Sequence, residues 1–260
     1  MSLPKNLSQF EALVSIFARL RAPNGCPWDR KQTHASLREN LLEECYETLE
    51  ALDEEDSKKL CEELGDLLMQ IVFHAQIAAE TGEFDIGDVI EGINTKLIHR
   101  HPHIFGSAKA KNAEEVAHNW EELKREERKA GTSILASVPT QMPALGYSQA
   151  IQRRAAQVGF DWKEAEDVIE KLVEEVKELR QADTQKEKEQ EFGDLLFTLV
   201  NIARRMGIES ESALREANKR FHQRFTYMEE LCQKRGLNLS KLSLSELDAL
   251  WEEAKKELDE

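Results

Sequence analysis

The sequence predicts an all-α chain of two tandem helical-bundle domains related by internal duplication. Three observations predict it: helix-start signals recur from end to end, apolar residues keep helical spacing, and a carboxylate-rich pattern occurs twice. Each start signal is Ser, Asn, Asp or Thr followed three residues later by Glu, a pair that satisfies free amides at a helix N-terminus. They stand at Ser8/Glu11, Ser36/Glu39, Asn112/Glu115, Asp161/Glu164, Thr184/Glu187 and Ser243/Glu246. Gly82, Gly131, Gly207 and Gly236 supply stops in the left-handed conformation, and Pro102 disfavours helix at His101. Between these marks, sets such as Leu42, Cys45, Leu49, Leu52 and Leu60, Leu64, Leu67, Leu68, Ile71 predict about ten helices. No comparable strand signal occurs.

The repeat sets the domain organisation. Leu41-Leu42-Glu43-Glu44-Cys45-Tyr46-Glu47 is echoed by Leu172-Val173-Glu174-Glu175-Val176-Lys177-Glu178, with Glu44 and Glu175 131 positions apart. Glu62-Glu63-Leu64-Gly65-Asp66-Leu67-Leu68 is echoed by Gln190-Glu191-Phe192-Gly193-Asp194-Leu195-Leu196 at a spacing of 128, so the three-residue difference is expected in the intervening loop. Lys96-x-x-x-Arg100 then matches Arg220-x-x-x-Arg224, and Trp120-x-x-x-Lys124 matches Trp251-x-x-x-Lys255. The stretch 131–146, with Pro139, Pro143 and few charges, reads as a connector between domains at 1–130 and 147–260.

With 50 acidic and 35 basic residues in 260, the formal charge is −15, which repels nucleic acid polymers and anionic lipid surfaces. Cys26, Cys45, Cys61 and Cys232 form no C-x-x-C pair and no secretory pattern opens the chain, so a reducing cytoplasm is expected. The most apolar stretch, 67–79, falls short of the roughly 20 residues of a membrane span.

Residues three apart on a helix share a face, so Glu44/Glu47 and Glu63/Asp66 each form a two-carboxylate claw, as do Glu175/Glu178 and Glu191/Asp194. Two claws on neighbouring helices would enclose a cation, and all-oxygen ligation selects hard ions such as Mg²⁺. Gly65 and Gly193 cost about 1 kcal/mol each relative to Ala inside a helix, which predicts close backbone packing beside the carboxylates. Lys96/Arg100 and Arg220/Arg224 can each point at one triphosphate, while Trp120 and Trp251, each with a Lys four later, can wall a base. His99, His101 and His103 have no counterpart in the second half and read as a structural loop. No P-loop, dinucleotide or H-E-x-x-H motif occurs, and the lone Glu115-x-x-His118 does not make a di-iron bundle.

Cys26-Pro27-Trp28-Asp29 with Gln32-Thr33, Glu43-Glu44-x-x-Glu47, Glu63-x-x-Asp66, His101-Pro102-His103 and Val158-Gly159-Phe160-Asp161-Trp162 resemble the MazG nucleoside triphosphate pyrophosphohydrolases, over essentially the whole chain. The resemblance implies an all-α NTP pyrophosphatase fold, a Mg²⁺ requirement, a homodimer, and hydrolysis of NTPs and dNTPs to monophosphate and pyrophosphate. It also implies housecleaning of the nucleotide pool or stress-linked nucleotide control. Glu175, Glu178, Glu191 and Asp194 would then ligate metal. Lys171, Glu174, Arg220, Arg224, Trp251 and Lys255 would contact nucleotide, with Lys96, Arg100, Trp120 and Lys124 in the first half. Asn40 stands where the second half has Lys171, so the two sites differ. Glu43/Glu174 and Glu44/Glu175 both remain candidates for the general base, and a non-catalytic nucleotide-binding regulatory protein is the alternative reading.

Overall fold

The computed structural model describes residues 6–113, 115–116, 119–120, 123 and 131–259. Among the described residues there is no strand, and the chain divides into two compact units, Met1–Arg128 and Lys129–Glu260. Unit 1 contains α1 (Phe10–Arg21), α2 (Arg38–Asp53), α3 (Ser57–Thr81), α4 (Ile86–Arg100) and the short α5 (Pro102–Phe105). Unit 2 contains α6 (Ala144–Ala156), α7 (Ala165–Gln181), α8 (Gln185–Arg205), α9 (Ser210–Arg235) and α10 (Leu244–Asp259). α6 begins inside the stretch expected to be connector, because Pro143 fits the position just before a helix. The residues before it cluster with unit 2, where Val138 is buried.

Each unit is organised around a helical hairpin, α2–α3 in the first and α7–α8 in the second. α1 packs on α3, and α6 packs on α8. The unit 1 core gathers Phe17 of α1, Leu37, and Val72, Phe73 and Ile77 of α3, which burial removes from water. A separate core in unit 2 joins Met228, Leu231 and Cys232 of α9 to Leu250 and Ala254 of α10.

The capping residues decide where these helices start. Thr184 accepts from the Glu187 amide at 3.2 Å while Glu187 accepts from the Thr184 amide at 2.9 Å, the reciprocal pair expected from sequence. Ser243/Glu246 and Asn112/Glu115 also act locally as expected. Ser8, Ser36 and Asp161 do not cap. Ser8 turns to Asn6, Ser36 joins a turn with Gln32 and Thr33, and Asp161 is taken by Arg204. α7 starts instead at Glu164, whose amide donates to Asp167. Gly82 and Gly236 end α3 and α9 with φ of +73° and +65°, the left-handed stops a glycine makes without strain.

The three-residue difference between the repeats does not lie in the loop. Both hairpin loops have three residues, 54–56 and 182–184, and the extra residues extend α2 by most of a turn beyond its carboxylates. Lys59 of α3 holds that extension, donating to Glu50 at 2.6 Å and Glu54 at 3.1 Å. In unit 2 the corresponding residue is Glu187, committed to its cap. Thr184→Ala is therefore expected to destabilise unit 2 by about 1 kcal/mol. Urea unfolding followed through the unit 2 transition checks this, and an unchanged midpoint would show that the cap carries no weight.

Candidate active site

Helix periodicity and hairpin packing together bring the predicted carboxylates into two clusters. One carboxylate oxygen from each of Glu44, Glu63 and Asp66 lies within 4.8 Å of the others, and Glu175, Glu178 and Glu191 do the same in unit 2. Within each triplet two residues come from one helix, three positions apart, and the third crosses from its hairpin partner. Glu47 and Asp194 fall outside the triplets but still act on them as charges, Glu47 on Glu63 and Asp194 on Glu191. Glu43 and Glu174 are exposed neighbours of the clusters.

The two clusters differ in what faces them. In unit 2, Lys171 reaches one turn along α7 to Glu175 at 2.9 Å and to Glu174 at 3.2 Å. Glu175 is only 4% exposed, so its charge is held where water is scarce and a cation is its direct partner. In unit 1, Asn40 occupies the Lys171 position, and Glu44 is met by the Gln70 amide at a long 3.5 Å.

The predicted cationic and aromatic residues form a second assembly in each unit. The Arg100 guanidinium lies 5.9 Å from the Trp120 ring centre, and Arg224 lies 5.6 Å from Trp251, so the duplication extends to a cation–π pair. Trp251 also packs against Phe221 and the α9–α10 core, which fixes its ring. Lys255 is paired with Glu252 at 2.6 Å, whereas Lys96 and Arg220 are exposed and make no ion pair among the described residues. Lys124 and His118 lie outside the described residues. His101 is structural, with Nδ1 2.6 Å from the Leu97 carbonyl and its ring edge-on to Trp120.

Comparison with known proteins decides what this assembly belongs to. Residues 32–105 match the family model of the MazG nucleotide pyrophosphohydrolase domain, and residues 147–221 match that of phosphoribosyl-ATP pyrophosphohydrolase. The chain is 51% identical over 247 residues to the nucleoside triphosphate pyrophosphohydrolase/pyrophosphatase MazG of Thermotoga maritima, covering 95% of each. It is 44% identical to the nucleoside triphosphate pyrophosphohydrolase of Escherichia coli K12, over 96% of this chain and 98% of that one. An uncharacterized Bacillus subtilis protein, YabN, is 47% identical over 95% of this chain but only 52% of its own length. The chain belongs to the MazG family. The two matched segments of this MazG-family chain contain both carboxylate clusters, while Trp120, Arg224 and Trp251 lie beyond them.

One expectation about the MazG hairpins is overturned. Gly65 and Gly193 were expected to allow close backbone packing, yet a Cβ built on either meets nothing within 4 Å. Within the chain these glycines face open space. Sequence reasoning also misassigned Asp161 as a cap: its carboxylate accepts from Arg204 at 2.6 Å while Arg205 donates to the Trp162 carbonyl at 2.7 Å. This latch fixes the turn that carries Phe160 and Trp162. The Phe-Asp-Trp pattern was visible, but its Arg partners are 43 positions away and carry no local mark.

The clusters are electrostatically loaded. Desolvation first, and then neighbouring carboxylates, raise Glu44, Glu63 and Glu191 above the ordinary value of 4.5. Oxygen-only donors that repel one another fit a hard divalent cation, which Glu44, Glu63 and Asp66, or Glu175, Glu178 and Glu191, would hold. A carboxyl raised on folding contributes stability below its unfolded pKa and loses it as pH rises through the folded one. Carboxyls held low, such as Glu80 by Arg21 and Glu246 by Ser243, act in the opposite sense and at lower pH. In EDTA, Glu191→Gln is thus expected to melt higher than wild type at pH 7, with the difference vanishing below about pH 4.5. Thermal melts across that range check the sign, and a variant that melts lower at pH 7 contradicts the repulsion.

Proposed function

We propose that this protein hydrolyses NTPs and dNTPs between the α- and β-phosphates, giving a nucleoside monophosphate and pyrophosphate in a Mg²⁺-dependent reaction. The observation that carries this reading is the pair of mutually repelling carboxylate triplets on equivalent hairpins of a MazG-family chain. Bound Mg²⁺ would supply Lewis acidity and a more acidic coordinated water. Lys171, Arg220 and Arg224 supply the positive charge that binds a triphosphate, and Trp251 a fixed ring against the nucleotide. Glu175 is buried and committed to its cluster and to Lys171, which leaves Glu174, exposed and joined to the same Lys171, to accept the water proton. Clearing triphosphates in this way suits housecleaning or stress-linked control of a cytoplasmic nucleotide pool.

The second unit is the preferred catalytic site, because among the described residues a lysine is directly ion-paired with a cluster carboxylate there, whereas Lys59 of unit 1 is bound to Glu50 and Glu54. Incubation with ATP and Mg²⁺ should release pyrophosphate and AMP, and EDTA should abolish it. Glu175→Gln should lower kcat/KM at least about 100-fold and raise the Mg²⁺ requirement. Glu174→Gln should lower kcat with the Mg²⁺ dependence unchanged. Release of orthophosphate and ADP, or nucleotide binding with no turnover, would overturn the reaction. If Glu44→Gln abolishes activity while Glu175→Gln leaves it intact, the preferred unit is the wrong one.

A homodimer is part of the proposal. Leu64, Leu68 and Ile71 on α3 form an exposed apolar stripe, and Phe192, Leu196 and Leu199 repeat it on α8. Such stripes mark association surfaces. Light scattering should give twice the mass of one chain, and Leu68→Glu with Leu196→Glu should give monomers. A monomeric wild type would remove this part.

A further inference from the structure

α6 and α8 of unit 2, with the turn latched by Asp161, form a cleft of about 230 Å³. Its walls are apolar and aromatic, including Ile151, Phe197 and Trp162, with Phe160 at the lip 81% exposed. Two amides interrupt that lining. Gln152 of α6 is 5% exposed and Asn201 of α8 is 3% exposed, yet Gln152 Oε1 and Asn201 Oδ1 have no hydrogen-bond partner. The Gln152 amide is oriented by its own Nε2, which donates to the Phe197 carbonyl at 2.8 Å, so the atom left over is an acceptor. Buried acceptors are normally satisfied, and two unsatisfied ones lining a single cleft describe the ligand that would complete them. It is a flat apolar ring carrying N–H donors.

The position of the cleft connects it to the carboxylates. Asn201 follows Asp194 by seven residues, which on a helix is about 10.5 Å along the axis and within about 20° of the same face. Asn201 therefore continues the stripe begun by Glu191 and Asp194, at the distance a nucleoside spans between its phosphate and its base. In unit 1 the position corresponding to Asn201 is Phe73, 3% exposed, with its ring centre 5.0 Å from that of Phe17. There the same place on the hairpin is filled by the Phe17–Phe73 core.

We propose that this cleft is the base pocket of the unit 2 site, and that Gln152 and Asn201 accept hydrogen bonds from an amino-bearing base, with the Trp162 ring beside it. An exocyclic amino group offers two N–H donors, one for each acceptor, whereas uracil or thymine offers a single ring N–H flanked by carbonyl oxygens and so satisfies fewer of them. Trp251, fixed by Arg224 and Phe221, contacts the nucleotide outside this pocket. The proposal rests on the pyrophosphohydrolase reading above and names the feature of the substrate that unit 2 selects.

The test compares ATP with purine riboside triphosphate, which differs only by loss of the amino group. The wild type should favour ATP in kcat/KM by about tenfold or more, because a site built around acceptors penalises the ligand that leaves them unpaired. Asn201→Leu should bring the ratio to near one, and Asn201→Asp, which keeps an acceptor, should preserve it. Trp251→Phe should raise KM for both substrates alike. Circular dichroism confirms that each variant folds, and the wild-type ratio decides the matter even if Asn201→Leu does not. A wild-type ratio near one with pyrophosphate still released, or an unchanged ratio in folded Asn201→Leu, overturns the pocket. If no pyrophosphate is released from either substrate, the proposed reaction fails. Calorimetric titration with AMP and purine riboside monophosphate then tests the cleft alone: preference for AMP that Asn201→Leu removes supports it, and equal affinities overturn it.

Discussion

Holding three carboxylates within 4.8 Å of one another is the constraint from which the rest of the structure follows. Like charges at that separation push helices apart unless something else binds them together. Here the opposing work is done farther along each hairpin, where α1 or α6 packs against α3 or α8 and apolar side chains leave water. Carboxyl groups in the clusters hold their protons more tightly than usual, through desolvation first and mutual repulsion second. Lys171 relieves part of it in unit 2 by standing as a cation against Glu175. Any divalent ion that binds there competes with or displaces that ammonium, so metal binding and the freedom of Lys171 to meet a phosphate are coupled.

Duplication supplied two hairpins with the same carboxylates, but the surroundings have diverged in one direction. At the Lys171 position unit 1 has Asn40, and at the Asn201 position it has Phe73. The first change removes a cation from beside the cluster. The second replaces an amide that cannot be satisfied within the fold by a phenyl ring that packs on Phe17. Asn201 is left in unit 2 with an amide oxygen that has no hydrogen-bond partner, while Lys171 keeps its partners Glu174 and Glu175. Buried polar groups without partners cost stability, and unit 1 keeps one of its own in Gln70, whose Oε1 is unpartnered beside Glu44.

Helices and carboxylate claws were legible in the sequence because both are written in local periodicity. Glu44 and Glu47, or Glu175 and Glu178, share a face whatever the rest of the chain does. Which three of four carboxylates meet was not legible, since it depends on how two helices are registered across a loop. The extra residues of α2 show this: the offset between repeats was plain, but its place in the helix was set by Lys59 bridging Glu50 and Glu54. Thr184 and Ser243 were readable as caps because their partners are three residues away. Asp161 was misread as a cap because its partner, Arg204, comes from a distant helix. Gln152 and Asn201 sit at positions the helical pattern assigns to the interior, where a single amide reads as an ordinary buried polar residue. Only the cleft they share gives them a joint meaning.

The apolar stripe adds a reason why surface carboxylates are so strongly desolvated. On α8, Asp194 is followed along its own face by buried Thr198 and Asn201, with the stripe of Phe192, Leu196 and Leu199 to one side. Acidic residues with an apolar stripe along one flank have less water within reach, in keeping with desolvation as the first cause of the raised Glu191 value although the residue is at the surface. Covering the stripe with a second chain would remove the remaining water from one flank. The same step would raise the local strength of every charge interaction in the cluster, including attraction for a cation. In the proposed dimer, association and metal binding would therefore favour each other through the shared dielectric environment.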